Sequence, residues 1–301
     1  MSTSHTVKTL DCPNGSVVHL VGTAHFSRES IEDVRRTVRE TKPNVVVLEL
    51  CQHRQLILSY GEEEILREAR TMNLAKMRSV IKRDGFVAGI TQSIFLKFSA
   101  ELTEKLGMAP GGEFRAGYQE ALAINARVVL GDRIIGITFK RALAALSFWQ
   151  RIRFTYLLLQ SLTSDIDITP EEVERLKTQD MVQLLTGELG AQFPSILNVF
   201  VSERDQILAY SLMLAANCAQ QPYGPPVTVV GVMGIGHLPG IEANWNQTLD
   251  IKDLLIVPQP SRTAQIVWKG TGLVFKLGLL SLGVGCVYFV GRKVFSHFRS
   301  L

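Results

Sequence analysis

Two histidines follow glycine-containing segments in the same way. Gly22 opens the segment GTAH that ends at His25, and the segment GIGH contains Gly234, Gly236 and His237. Each histidine lies where a predicted β-strand passes into a loop or helix, and in open α/β sheets ligands bind beyond the carboxyl ends of strands. Because neutral imidazole is the commonest metal ligand, the two histidines together indicate a metal site. The alternative is that each histidine caps a helix or bonds a buried carbonyl group.

A carboxylate ends a neighbouring predicted strand. Glu49 lies in the segment LELCQHR, where it can join His25 and His237 as a third ligand. Two histidines and one carboxylate with an open coordination position are typical of catalytic sites for divalent ions, here Mn, Co or Zn. Arg54 starts the next helix, close enough in sequence to orient the carboxylate of Glu49.

Two charged residues interrupt the apolar face of a predicted helix at 194–218. Glu203 lies in the middle of this face and Arg204 lies beside it. Charges on an apolar face are costly unless they are paired or functional. The pattern therefore allows a structural ion pair of Glu203 with Arg204 or with another arginine. It equally allows a catalytic carboxylate, with Glu203 or Glu49 as general base.

Five further charged residues are predicted to bind substrate or support the site: Glu113, Arg115, Asp132, Arg133 and Arg141. Asp132 and Arg133 end the short predicted strand RVVLGDR, the strand position that Glu49 also has. Glu113 and Arg115 follow a glycine pair that would let the backbone approach a ligand. Arg141 lies near a helix start, where it serves as a surface residue or as the partner of a carboxylate.

The elements that position these residues are strands at the two ends of the domain and helices in the middle. Continuous or alternating β-branched segments predict strands, and apolar residues at helical spacing predict helices. The predicted strands are Val7–Leu10, SVVHLVG after an Asn14-Gly15 hairpin turn, 44–50, 127–133 and 227–234. The predicted helices begin with one capped by Ser27 and continue at 52–60, 62–83, 85–106, 113–126 and 138–160. A helix capped by Thr169 follows over the segment TPEEVERLKTQDMVQLLTGELG, then one at 194–218 and a last one from the segment GHLPG. This order predicts an α/β fold with a mixed sheet and a large helical insertion.

Composition narrows the function classes. A hydrophobic share of 46% with 20% charged residues is ordinary for a globular domain. A formal net charge of only +4 does not indicate a nucleic-acid surface. The four cysteines are scattered and form no CxxC pair, unlike a secreted disulfide scaffold. With no apolar N-terminal run either, we expect the domain to fold in the cytosol.

The segment 271–291 reads TGLVFKLGLLSLGVGCVYFVG. A helix of this length spans about 32 Å, which matches the hydrocarbon core of a bilayer. Its only charged residue, Lys276, can extend to the interface. We therefore predict an α/β domain over 1–258, a linker at 259–270, one transmembrane helix and a short basic tail at 292–301. The alternative is a buried core helix.

A span this late in the chain predicts insertion after translation, with the domain facing the cytosol. The moderately apolar helix and basic tail favour the mitochondrial outer membrane, with the endoplasmic reticulum as second choice. Ser281 and Gly285 have the small-x-x-x-small spacing of transmembrane dimers, so a homodimer is one arrangement the chain allows.

Seven blocks agree, in order, with one known family. They are GTAHFS, VVVLELCQHR, MAPGGEFR, GDR, FKRALAALSFWQ, VSERD and GVMGIGHLPGIEANW. On these blocks, residues 7–258 resemble the TraB/PrgY/GumN/TIKI family. The resemblance implies a metal-dependent hydrolase or peptidase site at His25, Glu49 and His237, with Glu203 carried over less directly. It also agrees with placement on the mitochondrial outer membrane.

Two functions follow as expectations. The first is a membrane-anchored, metal-dependent hydrolase that acts on a peptide or another small amide or ester. The second is a non-catalytic anchor that binds, regulates or tethers a peptide or protein partner at the organelle surface. The sequence differs from the secreted TIKI branch because it lacks a signal peptide, and activity therefore cannot be carried over from that branch directly.

Overall fold

The computed structural model describes residues 6–24, 27–59, 111–163, 190–219 and 224–258. The chain divides into two compact units, Met1–Val257 and Pro258–Leu301, and apart from Pro258 the described residues belong to the first. Its strands are β1 (Val7–Asp11), β2 (Val17–Thr23), β3 (Val45–Leu48), β4 (Arg127–Leu130) and β5 (Thr228–Gly234). Its helices are α1 (Arg28–Thr41), α2 (Gly112–Ala123), α3 (Ile135–Ala145), α4 (Phe148–Thr163), α5 (Pro194–Phe200), α6 (Ser202–Ala215) and α7 (Leu238–Ala243). Short 3₁₀ helices cover Gln52–Leu58, Ile235–His237 and Lys252–Leu255.

The five strands form one mixed sheet in the order β1-β2-β5-β3-β4. The strand β1 is antiparallel to β2, and all other neighbouring strands are parallel. At the far ends, Thr23 of β2 pairs with Gly234 of β5, and Leu48 of β3 pairs with both Val232 and Leu130. The carboxyl ends of the four parallel strands therefore meet at one edge. The predicted mixed sheet is confirmed, because β1 is antiparallel to β2.

Helices cover both faces of the sheet. On one face, Val34 and Val38 of α1 and Phe114 of α2 pack in a core with alternate strand residues that include Val46 and Leu48. On the other face, α6 and α7 pack against the remaining strand residues, among them Val45 and Val47. This burial explains the continuous β-branched sequence of β3, since each of its residues lies against one of the two helical layers. A separate small core joins α3, α4 and α5.

Local signals in the sequence are confirmed at two turns. Gly15 has φ 82 in the turn between β1 and β2, the left-handed conformation that glycine adopts without strain. Ser27 caps α1, and its side chain accepts a hydrogen bond from the backbone nitrogen of Ser30. The hairpin and the start of the first helix thus follow from short segments of sequence.

Two predicted long helices are wrong, because each is two helices. The predicted helix 138–160 is broken between α3 and α4, where Ser147 and Gln150 exchange side-chain and backbone hydrogen bonds of 3.4 and 2.9 Å. This exchange is a capping box, which starts a new helix. The predicted helix 194–218 is broken at Val201, whose ψ of −76 lies outside the regular helical range.

Other predictions differ in detail or remain untested. The predicted helix at 52–60 is a 3₁₀ helix over Gln52–Leu58. The predicted helices at 62–83 and 85–106 lie outside the described residues, as do residues 169–189 of the predicted helix capped by Thr169, the linker 259–270, the predicted span 271–291 and the tail 292–301. None of the helices in the described part of the chain is both long and apolar enough to span a membrane.

Candidate functional site

Glu49 directly follows β3 and is held in a fixed orientation. Its backbone nitrogen donates to the carbonyl of Val232, 3.1 Å away, which continues the sheet pairing for one residue. Its Oε2 accepts a 2.6 Å hydrogen bond from the backbone nitrogen of Gly234. Its Oε1 contacts Nη2 of Arg204. The sequence therefore places a buried carboxylate at the edge of the sheet, and the end of β5 orients it.

His237 lies in the 3₁₀ turn after β5 and is fully buried. Its Nδ1 is 2.6 Å from Oδ1 of Asp205 on α6. Its Nε2 lies 3.0 Å from Nη1 of Arg204 and 3.4 Å from Oε1 of Glu49. The imidazole is thus held from behind by one carboxylate and faces a second carboxylate and a guanidinium.

Arg204 joins the ends of three strands. From α6 its guanidinium reaches Glu49 after β3, Asp132 after β4 and His237 after β5. Asp132 accepts from Nε at 3.1 and 3.2 Å and from Nη2 at 2.9 Å, and the carbonyl of Phe200 accepts from Nη1 at 3.4 Å. Burial would lower the pKa of Arg204, but the charges of Asp132 and Glu49 raise it above its ordinary value. The guanidinium is therefore a permanent cation at this edge.

The proton of His237 has two mutually exclusive arrangements. Burial lowers the pKa of His237, but the charge of Glu49 and the hydrogen bond with Asp205 outweigh it and raise the pKa to about 9. A protonated Nε2 points its hydrogen at Glu49, 3.4 Å away. However, Nη1 of Arg204 can only donate, so its 3.0 Å contact requires an unprotonated Nε2. The raised pKa favours the protonated ring at neutral pH, whereas the 3.0 Å contact with Arg204 requires the neutral one. We adopt the neutral ring because this contact is the shorter of the two, and Nδ1–H donates to Asp205 in both arrangements.

Gly240 allows α7 to approach Asp205. A Cβ at this position would lie 1.9 Å from Oδ2 and 2.3 Å from Cγ of Asp205. No side chain fits at that distance unless Asp205 moves. The second glycine of the segment GHLPG, Gly240, is thus required because the carboxylate of Asp205 lies behind His237.

Glu203, one residue before Arg204, belongs to a second ion cluster. Arg141 of α3 binds it through two hydrogen bonds of 2.8 and 2.7 Å, and Nη1 of Arg133 donates at 2.7 Å. Both arginines also donate to backbone carbonyls of the 3₁₀ segment near the end of the domain, those of Asp253, Leu254 and Ile256. This cluster therefore fastens that segment to α3 and α6. Burial alone would raise the pKa of Glu203, but hydrogen bonds from Arg141 and Arg133 hold it below its ordinary value.

The comparison with known proteins covers most of the residues of both clusters, those up to Leu249. The model of the TraB/PrgY/gumN family matches residues 10–249. This chain belongs to the TraB/PrgY/gumN family. It is 42% identical to the TraB domain-containing protein of Homo sapiens over 98% of the chain and 79% of that protein. It is also 42% identical to the protein of the same name from Bos taurus, over 99% and 79%. An uncharacterised protein of Methanocaldococcus jannaschii is 25% identical over 78% of this chain and 55% of its own length.

In this TraB-family chain the structure gathers eight of the residues singled out in the sequence into two clusters. Glu49, Asp132, Arg204, His237 and Gly234 form the cluster at the sheet edge, which we call the edge cluster together with Asp205. Glu203, Arg133 and Arg141 form the second cluster instead, so Glu203 pairs with arginines other than Arg204. Gly22 lies in β2, where a Cβ would be 2.9 Å from Leu238, and Gly236 lies in the turn before His237.

The remaining predicted residues lie elsewhere or are not described. His25 lies outside the described residues. Glu113 is buried in the first turn of α2, with Arg115 in the same helix, and Arg54 lies in the 3₁₀ helix Gln52–Leu58. The glycine pair before Glu113 serves packing: a Cβ at Gly111 or Gly112 would lie 2.7 Å from an isoleucine side chain. This close helix packing explains the glycines without a ligand.

Asp205 is the site residue that sequence reasoning missed. It lies in the segment VSERD, two residues after Glu203, and is only 5% exposed. A third consecutive charged residue on a helix with a mostly buried surface was the available signal, because each such charge needs a partner. Thr138 was missed as well, and its Oγ1 accepts from Nε of Arg133 at 3.1 Å.

The edge cluster fits a divalent cation in donor type. A histidine that binds a metal commonly donates its other ring N–H to a carboxylate, as His237 does to Asp205. Two ligands of a tetrahedral ion lie roughly 3.4 Å apart, and Nε2 of His237 and Oε1 of Glu49 are 3.4 Å apart. Among the residues that the structure describes, no group of three or more acidic, histidine or cysteine side chains is arranged to hold a metal ion. The third predicted donor, His25, is not among them.

Proposed function

We propose that this chain is a hydrolase of the TraB family that cleaves a peptide or another small amide or ester at the edge cluster. The observation that supports the proposal most is the pair His237–Asp205, buried at the carboxyl edge of the sheet with Glu49 beside it. Three charged groups of this kind are expensive to bury for packing alone. Ligands of open α/β sheets bind at this edge.

The roles of the side chains follow from their contacts. Asp205 holds the Nδ1–H of His237, so that Nε2 faces Glu49. The backbone N–H of Gly234 fixes Oε2 of Glu49 and leaves Oε1 directed at the same space. Of the two carboxylates, we assign Glu49 to the reacting groups, as metal ligand or as general base, because Glu203 is bound by two arginines that hold its pKa below the ordinary value. Glu203 instead stabilises the domain, because its partners Arg133 and Arg141 bind the segment that contains the 3₁₀ helix Lys252–Leu255.

Divalent metal is part of the proposal, with His237, Glu49 and the undescribed His25 as its ligands and Mn, Co or Zn as candidates. A divalent cation would supply Lewis acidity, which polarises a carbonyl group and makes water a better nucleophile near neutral pH. Asp205 orients His237 through its hydrogen bond with Nδ1, and the backbone N–H of Gly234 orients Glu49.

The test is hydrolysis by the purified full-length chain in detergent. A peptide library and a set of simple esters are incubated with the wild type, His237→Gln and Glu49→Gln, and bound metal is measured by elemental analysis. We expect cleavage by the wild type and its loss in both variants. His53→Gln is the matched control, because His53 is exposed on the 3₁₀ helix four residues after Glu49. Equal cleavage by His53→Gln and His237→Gln would contradict the assignment of His237 to the hydrolytic site.

A second candidate function is binding without turnover. It is favoured by the density of contacts in the edge cluster, where His237 is fully buried and Arg204 contacts four different residues. In that case the domain holds a peptide or protein partner. A peptide that is retained by the wild type, released unchanged and lost in Glu49→Gln would support this alternative over hydrolysis.

Location is proposed from sequence alone. The apolar composition of 271–291 supports a membrane span, and the basic residues of 292–301 support the mitochondrial outer membrane, with the domain facing the cytosol. Fractionation of cells that express the full chain, with alkaline carbonate extraction and protease protection, tests all three statements. Release of the protein by carbonate would contradict the transmembrane helix. Recovery of the protein with the endoplasmic reticulum would contradict the assignment to the mitochondrial outer membrane. A homodimer through the same segment is tested by crosslinking Ser281→Leu against the wild type.

A further inference from the structure

The guanidinium of Arg204 contacts the two atoms to which a divalent cation is proposed to bind. Its Nη1 lies 3.0 Å from Nε2 of His237, and its Nη2 contacts Oε1 of Glu49. A metal ligand must present a lone pair, and the single lone pair on Nε2 of His237 is directed at an N–H group of a permanent cation, which also contacts Oε1 of Glu49. Guanidinium and metal ion carry charge of the same sign and repel each other strongly at a buried edge. Nε2 of His237 therefore cannot bind the guanidinium and a metal ion at once.

We propose that Arg204 is a built-in competitor for the metal site, so that its release from His237 and Glu49 sets the affinity of the edge cluster for a divalent cation. This inference rests on the proposed metal site. The contacts of the cluster make the competition direct rather than long-range, since the same two acceptor atoms serve both cations. In the arrangement that the structure describes, the arginine holds them.

Asp132 is the partner that Arg204 can keep when it leaves His237 and Glu49. It accepts hydrogen bonds from both Nε and Nη2 of the guanidinium, at 3.1 and 2.9 Å. Because the guanidinium is a rigid plane, Nη1 leaves His237 and Nη2 leaves Glu49 with both contacts kept when Arg204 and Asp132 move as a pair. A buried arginine that loses every partner is strongly unfavourable, but this one keeps an ion pair throughout the exchange. The metal site can therefore open without leaving an isolated buried charge.

A purely structural role for Arg204 predicts the opposite result on substitution. If the arginine only orients Glu49 and His237, its removal disorders the two donors and weakens metal binding. If it competes, its removal exposes both lone pairs and strengthens metal binding. The sign of the change in metal affinity distinguishes the two roles.

The experiment measures metal binding by the full-length chain in detergent, purified with a tag that contains no histidine and stripped with chelator. Zinc and manganese are titrated separately by calorimetry into the wild type, Arg204→Met and Arg204→Lys, with folding checked by circular dichroism. We expect Arg204→Met to bind one ion about tenfold or more tightly than the wild type, because it removes a like charge from beside the ion, and the double variant with His237→Gln to lose this gain. Arg204→Lys keeps the charge and is expected to fold in any case. Its single ammonium cannot contact both atoms as the fork does, so it should show a smaller gain.

Arg141→Met is the matched control, because it removes an arginine of similar burial from the neighbouring Glu203 cluster. Its metal affinity should equal that of the wild type. Equal or weaker binding by both Arg204 variants, with binding lost on His237→Gln, would overturn the competition while the metal site stands. No binding by any variant would overturn the metal site and the competition together, and hydrolysis would then be judged by its own assay.

Discussion

Arg141 binds the carboxylate of Glu203 through two parallel hydrogen bonds, Nε to Oε2 at 2.8 Å and Nη2 to Oε1 at 2.7 Å. The same guanidinium donates from Nη1 to the carbonyls of Asp253 and Ile256. A bidentate pair of this kind has fixed geometry and is among the stronger ion pairs in proteins. Through it, a helix in the middle of the chain holds the last described segment of the domain.

Replacement of Glu203 by Gln should destabilise the domain by about 3 kcal/mol at pH 7, because it leaves the buried Arg133 and Arg141 without their carboxylate. The measurement is urea unfolding followed by circular dichroism. Glu32→Gln is the control, since Glu32 pairs with Arg35 on an exposed helix face and should cost less than about 1 kcal/mol. A loss at Glu203 no greater than at Glu32 would show that the cluster does not hold the segment.

The contribution of Glu203 should depend on pH in one direction. The arginines lower its pKa below the ordinary value of 4.5, so the folded state binds its proton less readily than the unfolded state. The stabilisation is therefore fully present above about pH 4.5 and is lost as the pH falls through the lower folded value. In unfolding experiments across this range, the difference between the wild type and Glu203→Gln should shrink with acidification. A constant difference would contradict the assigned cause of the pKa shift.

Replacement of Gly240 by Ala should destabilise the domain, although alanine favours helices over glycine by about 1 kcal/mol. The added Cβ would lie 1.9 Å from Oδ2 of Asp205, so the carboxylate must leave its place behind His237. Thermal unfolding and the NMR signals of the His237 ring measure both effects. In an Asp205→Ala background the same substitution should cost little, because the clash is gone. A similar cost in both backgrounds would assign the glycine to backbone geometry instead.

Cys12 and Cys218 should form a disulfide under oxidising conditions. Their Sγ atoms are 2.7 Å apart, both thiols are buried, and 206 positions separate them in sequence. Burial raises the pKa of Cys12, so the reactive thiolate is rare and the reaction with oxidised glutathione should be slow. Intact-mass analysis would show the loss of two hydrogens, and in the chain-entropy account the closed loop adds at most about 5 kcal/mol of stability. Cys12→Ser should abolish the product and Cys51→Ser should not.

Much of the sheet and part of the edge cluster could be predicted because their signals are local. The β-branched segments and the Asn14-Gly15 turn define strands within a few residues, and Glu49 and His237 are recognisable as polar residues at strand ends. The helix breaks at Ser147 and Val201 were missed because apolar spacing continues across them. At Ser147 the sequence contains the capping box SFWQ, but the continuous apolar spacing favoured a single helix.

The pairing of charges could not be predicted, because it depends on which helix face packs at which edge. Glu203, Arg204 and Asp205 are consecutive, yet the first binds arginines of the second cluster and the other two bind the edge cluster. Successive residues on a helix point about 100° apart, so they reach different neighbours. Only the tertiary structure tells which neighbours these are.

Replacement of Asp205 by Asn should weaken metal binding and hydrolysis by about 10- to 100-fold, the usual effect of removing a carboxylate behind a histidine ligand. The neutral amide can present its NH₂ group to Nδ1, which favours the ring tautomer with the proton on Nε2, the atom that must bind. The comparison requires kcat/KM and metal affinity of the wild type, Asp205→Asn and Asp250→Asn, the last being an exposed control. If Asp205→Asn lowers only thermal stability, the carboxylate is part of the packing and His237 is not positioned by it for chemistry. A parallel loss of affinity and turnover, with the fold intact, would identify Asp205 as the residue that sets the tautomer of His237.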